Sequence, residues 1–161
     1  MLGGERILEL VKKSGLIENF DKRCLGGAGY DLRIGKIYEL RGGGYLGIEL
    51  RDMPSVEEIK FDEFTLNPYS YVLIESVEIV NMPSNLTARI LPRSTIFRCG
   101  AHLITALVDP KYRGTLIMGL VNLGRAPFRI QRNARIAQIV FERVEGKTRA
   151  YNGRYQGGRV V

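Results

Sequence analysis

Thr115-Leu116-Ile117-Met118-Gly119-Leu120-Val121-Asn122-Leu123 holds no charged side chain and lies between two turn signals, Asp109-Pro110 before it and Gly124–Pro127 after it. An apolar run of this length with such punctuation reads as a strand. Its neighbours repeat the pattern. Phe64–Val80 is rich in β-branched and aromatic residues, Leu86, Ala88 and Ile90 alternate with polar neighbours, and Phe128–Ile130 and Ile136–Phe141 are two further short runs. Asn67-Pro68, Met82-Pro83 and Arg132–Asn133 supply the remaining breaks. Short strands at regular spacing predict an all-β sandwich or barrel. Helical periodicity occurs once, over Glu5–Ser14, where Ile7, Leu8, Leu10 and Val11 share a face. Glu5 and Glu9 come early, Lys12 and Lys13 late, and Gly15 follows, an order that suits the helix dipole and a glycine C-cap. Gly42–Gly44 reads as a hairpin tip, and Tyr151–Val161, with glycines and little apolar mass, as a mobile tail.

The chain has 161 residues, 45% hydrophobic and 25% charged, which bounds it as one globular domain over residues 1–150 followed by the tail 151–161. That balance excludes collagen, a long coiled coil and wholesale disorder. No apolar run approaches the ~20 residues that span a bilayer, and Glu5, Arg6 and Glu9 make a signal peptide unexpected, so the expected address is the cytoplasm. Lys and Arg number 24 against 17 Asp and Glu, a net charge of +7 that favours polyanionic partners. Nucleic acid, a membrane surface and a small phosphorylated molecule all qualify. Phe and Tyr are not interleaved with the basic residues as a stacking platform requires, which weighs against nucleic acid. Two cysteines, Cys24 and Cys99, and one histidine, His102, are too few for a disulfide framework, a zinc centre or a histidine-based triad. His102 is expected in the core or at a subunit interface.

Four segments carry groups with chemistry. Gly26-Gly27-Ala28-Gly29-Tyr30-Asp31-Leu32 puts glycines ahead of a strand, either to let backbone N–H groups approach an anion or to make a tight turn. Leu91-Pro92-Arg93-Ser94-Thr95, with Arg98, supplies forked guanidinium donors and a compact hydroxyl that suit phosphate oxygens; a turn with solvated arginines is the plainer reading. Ala106-Leu107-Val108-Asp109-Pro110-Lys111-Tyr112-Arg113-Gly114 ends an apolar run with a carboxylate three residues before an aromatic ring. It is either a water-activating acid beside a ring that packs on a sugar, or a conformational Asp-Pro turn. Arg135-Ile136-Ala137-Gln138-Ile139-Val140 puts Gln138 inside an apolar strand, facing solvent or serving a site. Gly146-Lys147-Thr148 is not a P-loop, because the position for its first glycine holds Phe141.

In this order, Gly-Tyr-Asp-Leu (29–32), Pro-Arg-Ser (92–94), Val-Asp-Pro-Lys-Tyr-Arg-Gly (108–114) and Arg-Ile-Ala-Gln (135–138) resemble the four motifs of the dUTPase and dCTP deaminase superfamily, over nearly the whole chain. The helix, the Arg93–Ser94–Arg98 spacing and the tail Tyr151–Gly157 resemble the deaminase branch; Asp109–Gly114, Asn122-Leu123-Gly124 and Arg135–Gln138 resemble the dUTPase branch. Archaeal-type dUTPases and bifunctional deaminase–dUTPases combine such features. The second motif departs from the dUTPase pattern at Thr95, and only Tyr155 with Gly157–Gly158 stands in for a fifth motif. The resemblance implies a distorted β-barrel or jelly-roll with one short N-terminal helix, a homotrimer with shared active sites, and magnesium. It also implies hydrolysis of dUTP to dUMP and pyrophosphate, with no membrane or nucleic-acid partner.

On that resemblance, Asp109 is the base that activates water toward the α-phosphorus, and Asp31 holds the magnesium–triphosphate through water. Ser94, Arg93 and Arg98 grip phosphate. Tyr112 packs on deoxyribose, the Leu103–Val108 segment with Thr105 and Leu107 reads uracil, and Gln138 assists. Tyr151, Tyr155 and Gln156 close as a lid. In the deaminases a glutamate follows the third-motif aspartate by ten residues; here that position is Gly119. General acid–base help is worth ~10²–10⁴-fold, so the dUTPase reading is preferred to a deaminase or bifunctional one. A non-catalytic basic barrel that binds nucleic acid is the third alternative.

Overall fold

The computed structural model describes residues 1–161. Helix α1 (Gly4–Ser14) is followed by β1 (Ile17–Glu18), β2 (Leu25–Gly26), β3 (Gly29–Arg41), β4 (Tyr45–Leu46), β5 (Arg51–Asp52), β6 (Ser55–Ile59), β7 (Glu63–Leu66), β8 (Tyr71–Asn81) and β9 (Leu86–Pro92). The second half runs through α2 (Ser94–Arg98), β10 (Ala101–Ile104), β11 (Leu107–Val108), β12 (Arg113–Asn122), β13 (Phe128–Gln131) and β14 (Arg135–Arg143). None of the helices is long and apolar enough to cross a membrane.

Seven strands form a continuous antiparallel path in the order β10-β12-β8-β3-β14-β9-β11, with β1, β2 and β6 attached to it. Its two ends, β10 and β11, are consecutive in the chain and separated only by Thr105 and Ala106. Two residues cannot bridge the width of a flat sheet of seven strands at ~4.8 Å per strand, so the sheet curls until its edges meet. Thr105 Oγ1 donates to the Ile90 carbonyl at 2.8 Å across that closure. The expected all-β barrel with one N-terminal helix is this curled sheet.

Alternation fills its interior. On β3, Tyr30, Leu32 and Ile34 are fully buried, while on β14 Ile136, Ala137, Ile139, Val140 and Phe141 are buried nearly without a break. β14 lies between β3 and β9, which explains its continuous apolar run. Helix α1 packs Ile7 inward and ends at Gly15, whose φ of 64° and N–H bonds to the Leu10 and Val11 carbonyls make the expected C-cap.

Three expectations change in detail. Phe64–Val80 is two strands, because Asn67–Ser70 makes a turn with Tyr69 at φ 60°. Gly42–Gly44 is the base of an arm whose small hairpin, β4–β5, turns at Gly47–Leu50. His102 is exposed on the edge strand β10, and not in the core of the chain. Cys24 and Cys99 are both free.

Candidate functional site

The turn Asp109–Tyr112 enters β12 and is strapped from below: Lys111 N donates to the Met82 carbonyl at 3.1 Å, and Met82 N to the Tyr112 carbonyl at 2.9 Å. Tyr112 N closes the turn on the Asp109 carbonyl at 3.2 Å, with Lys111 at φ 63°. The conformational reading of Asp-Pro holds in the backbone. Backbone groups make the turn, and no hydrogen bond or ion pair engages the Asp109 carboxylate.

That carboxylate borders a cavity of about 380 Å³, within the range of small-molecule sites. Leu107, Tyr112, Tyr151 and Tyr155 line it too, together with Tyr71, and Asp109 is its only acidic side chain. Tyr112 is buried, and its hydroxyl donates to the Thr115 carbonyl. Burial is the main reason its phenol is pushed up to about 12.

A second group assembles where β3, β9 and β14 lie side by side. Gln138 is the register partner of both Asp31 and Leu91. Arg93, just past β9, ion-pairs with Asp31, and Arg135 approaches the same carboxylate oxygen at 3.4 Å. Ser94 is exposed at the start of α2, and Arg98 at its end lies over the Phe97 ring at 5.6 Å. Gln138 is half-buried, and its amide makes no hydrogen bond within the chain. None of Asp31, Arg93, Ser94, Arg98, Thr105, Gln138 or Gln156 borders the Asp109 cavity. Ile90 does, and Arg93 lies three residues on, ~10 Å along an extended chain. The first, second and fourth motifs thus meet in one place, and the third lies apart from them along β9, where Val108 pairs with Ala88.

His, Cys, Asp and Glu side chains nowhere gather in threes as a metal site requires. Asp31 is a single carboxylate with one oxygen shared by two arginines. Such a donor set suits a divalent ion only when ligand oxygens and water complete its shell.

The tail, expected to be mobile, is docked on the third motif. Tyr151 N donates to the Pro110 carbonyl at 3.1 Å, and its ring meets Tyr112 edge-on at 5.6 Å. Gln156 spends its amide on the backbone, accepting from Arg113 N at 3.0 Å and donating to the Lys111 carbonyl at 3.1 Å. Gly114 allows this approach, since a Cβ there would lie 2.5 Å from Gly158 N and 2.7 Å from Gly157 C. Gly114→Ala is therefore expected to detach residues 151–158. Tryptic cleavage after Arg154 should become about 10-fold faster or more, as local opening no longer competes with docking.

Position 119 bears on the chemistry. The glycine marks a close approach: a Cβ there would meet the Tyr71 hydroxyl at 2.5 Å and its Cε2 at 2.9 Å. The atoms nearest that space therefore belong to a phenol ring. Sequence reading missed Tyr71, the guanidinium of Arg135 as a partner of Asp31, and Arg159–Val161, which also border the cavity. Only Arg135 carried a signal, by its place beside Gln138 in the fourth motif.

A curled antiparallel sheet with an unengaged carboxylate in a partly open pocket, and an arginine–aspartate cluster elsewhere on the same sheet, defines a β-barrel protein with a small-molecule pocket. The particular family follows from comparison. The model of the family described as dCTP deaminase-like matches residues 1–144, and the chain belongs to that family. A protein of Archaeoglobus fulgidus named probable deoxyuridine 5'-triphosphate nucleotidohydrolase is 32% identical, covering 99% of this chain and 98% of its own. A dCTP deaminase of Pyrococcus furiosus is 33% identical over 91% of this chain and 88% of its own. Among solved structures, the dCTP deaminase of Agrobacterium tumefaciens superposes with a TM-score of 0.72 at 17% identity, over 89% of this chain and 48% of that one. The dUTPase of Staphylococcus bacteriophage 80alpha gives 0.53 at 16% identity in one structure, over 85% and 88%, so these likenesses speak for the fold.

Proposed function

We propose that the protein is a dUTP diphosphatase, hydrolysing dUTP to dUMP and pyrophosphate by attack of water on the α-phosphorus. One observation carries the reading: Asp109 is the only acidic side chain in the cavity, it is unengaged, and the space beside Gly119 is filled by Tyr71. Attack on a pyrimidine C4 needs a second group to move protons; attack on phosphorus needs one base and charge stabilisation.

Asp109 orients the water and takes its proton as the oxygen–phosphorus bond forms, and pyrophosphate leaves with the electron pair of the broken bond. Tyr112 packs on deoxyribose, and the Leu103–Val108 segment, held by Thr105, presents backbone groups to uracil. Ser94 donates to phosphate oxygens and Arg93 and Arg98 neutralise the triphosphate, with Gln138 alongside. Asp31 would hold the water shell of a magnesium ion bound with the triphosphate, which would supply further charge neutralisation. Gln156 acts by pinning the tail, so that Tyr151 and Tyr155 wall the pocket.

The two half-sites lie apart within one chain, and Leu91, Phe97, Ile104 and Leu107 are exposed on the same strands and helix. Such a cluster of apolar side chains supports self-association, and we place the complete site between subunits of a cytoplasmic homotrimer. Incubation with magnesium and either dUTP or dCTP, with pyrophosphate and ammonia measured separately, tests the activity. The expected products are pyrophosphate from dUTP and no ammonia from dCTP. Relatives named dCTP deaminase keep that second activity in view, and ammonia from dCTP would replace our reading with it.

A further inference from the structure

We infer that Tyr71 determines base specificity: laid across Gly119, it closes the base end of the Asp109 cavity against a pyrimidine bearing a 5-substituent and offers its hydroxyl to the polar edge of the ring. The inference rests on the nucleotide reading above and adds a residue that lies outside all four motifs.

Register supplies the geometry. Gly119 on β12 is flanked by Leu73 on β8 and by Ile104, the last residue of β10. The chain leaves Ile104 through Thr105–Val108 and reaches Asp109, so one end of that segment is anchored at Gly119 and the other carries the carboxylate. If phosphate is worked on at Asp109 and the base is read along the segment, the base points toward Gly119. Tyr71 pairs with Val121, on the same face as Gly119, and its ring reaches diagonally to cover the glycine. A side chain at 119 and the ring at 71 would compete for one volume, and the sequence has given that volume to the ring.

Chemistry agrees with position. The cavity is otherwise mostly apolar: the Tyr112 hydroxyl donates to the Thr115 carbonyl, the Tyr151 hydroxyl accepts from Tyr155 N at 3.3 Å, Arg159 Nε donates to the Val161 carbonyl at 2.7 Å, and the Tyr155 hydroxyl, like that of Tyr71, makes no hydrogen bond. The Tyr71 hydroxyl has no partner in the chain. It is free to bond a ligand, and its ring, exposed at 39%, lies against Gly119 and borders the cavity.

Binding and turnover are measured for wild type, Tyr71→Phe and Tyr71→Ala. Calorimetry with dUMP and dTMP reads base preference independently of hydrolysis; pyrophosphate release from dUTP and dTTP reads it in turnover. One methyl group in a fitted pocket is worth about 10–200-fold, so Tyr71→Ala should raise the dTTP/dUTP ratio of kcat/KM, and the dTMP/dUMP affinity ratio, by about 10-fold or more. Tyr71→Phe keeps the wall and loses the hydroxyl: the thymine ratio should stay within about 3-fold of wild type while dUMP binds about 3–10-fold more weakly. Gly119→Ala, which displaces the same ring while leaving residue 71 a tyrosine, should also weaken dUMP binding. Unchanged ratios in a folded Tyr71→Ala protein would overturn the inference with hydrolysis intact. No pyrophosphate from dUTP, with dUMP still preferred over dTMP and that preference lost in Tyr71→Ala, would overturn the hydrolytic reading and leave Tyr71 in its role. A wild type that binds neither monophosphate would overturn both.

Discussion

Asp109→Asn is expected to lower dUTP turnover by about 10²–10⁴-fold, the usual worth of a positioned general base, while nucleotide binding changes only a few-fold. Asparagine keeps the size and planarity of the side chain but cannot accept the proton that water must lose. The turn should survive, because it is closed by Tyr112 N on the Asp109 carbonyl and by the backbone bonds to Met82, none of which uses the carboxylate. Asparagine is itself a good turn residue. Loss of rate with an unchanged fold thus separates chemistry from architecture at a position where Asp-Pro serves both. Pyrophosphate release measured beside dUMP affinity, with a circular dichroism spectrum as control, gives the result. Full turnover in the variant would remove Asp109 from the mechanism. A collapse of binding together with rate would make its role one of ligand attraction, not of base catalysis.

Reading the sequence worked where local patterning and tertiary demand agree. Glu5–Ser14 has one apolar face, charges ordered along the dipole and a glycine after it, and the helix ends where Gly15 says it should. β12 and β14 are apolar enough to be recognised as strands, and they are strands flanked on both sides. Local pattern failed where partners are distant in sequence. The helix α2 over Ser94–Arg98 is too short for periodicity to reveal, and the arm between β3 and β6 holds Tyr45, Leu46, Ile48 and Leu50 exposed, against the rule by which apolar residues mark cores. In the tail, weak apolar content suggested mobility, yet its docking uses backbone bonds to Pro110 and Arg113 and the bare Cα of Gly114, which composition does not record. Tyr71 is the sharpest case. Nothing in its neighbourhood in sequence distinguishes it, and its importance lies in a cross-strand register that brings it over Gly119.

Glu78→Ala is expected to cost about 3–5 kcal/mol, because it strands charge and hydrogen-bond donors in the interior. Glu78 on β8 is fully buried. Its Oε1 accepts from Arg33 Nε at 2.7 Å and from the Tyr30 hydroxyl at 3.1 Å, and its Oε2 accepts from Arg33 N at 2.9 Å. The Tyr30 hydroxyl in turn accepts from Asp21 N at 3.0 Å, so one carboxylate ties β8 to β3 and to the loop after β1. Burial drives the Tyr30 phenol well above its ordinary range, so the hydroxyl stays a donor to Glu78 at any working pH. For a chain of this length, such a loss should lower the melting temperature by about 6–20 °C, measurable by calorimetry. Removing both charges, as in Glu78→Leu with Arg33→Met, should cost less than Glu78→Ala alone, since no buried charge is then left unpaired. Equal losses would mean that the contribution comes from packing and not from the ion pair. The consequence reaches the site as well: Tyr30 and Arg33 bracket Asp31 on β3, and both are fixed by Glu78. A milder variant that still folds, Glu78→Gln, should therefore loosen the Asp31–Arg93 pair and raise KM for dUTP more than it lowers kcat. A pure stability defect would leave both constants unchanged below the melting transition.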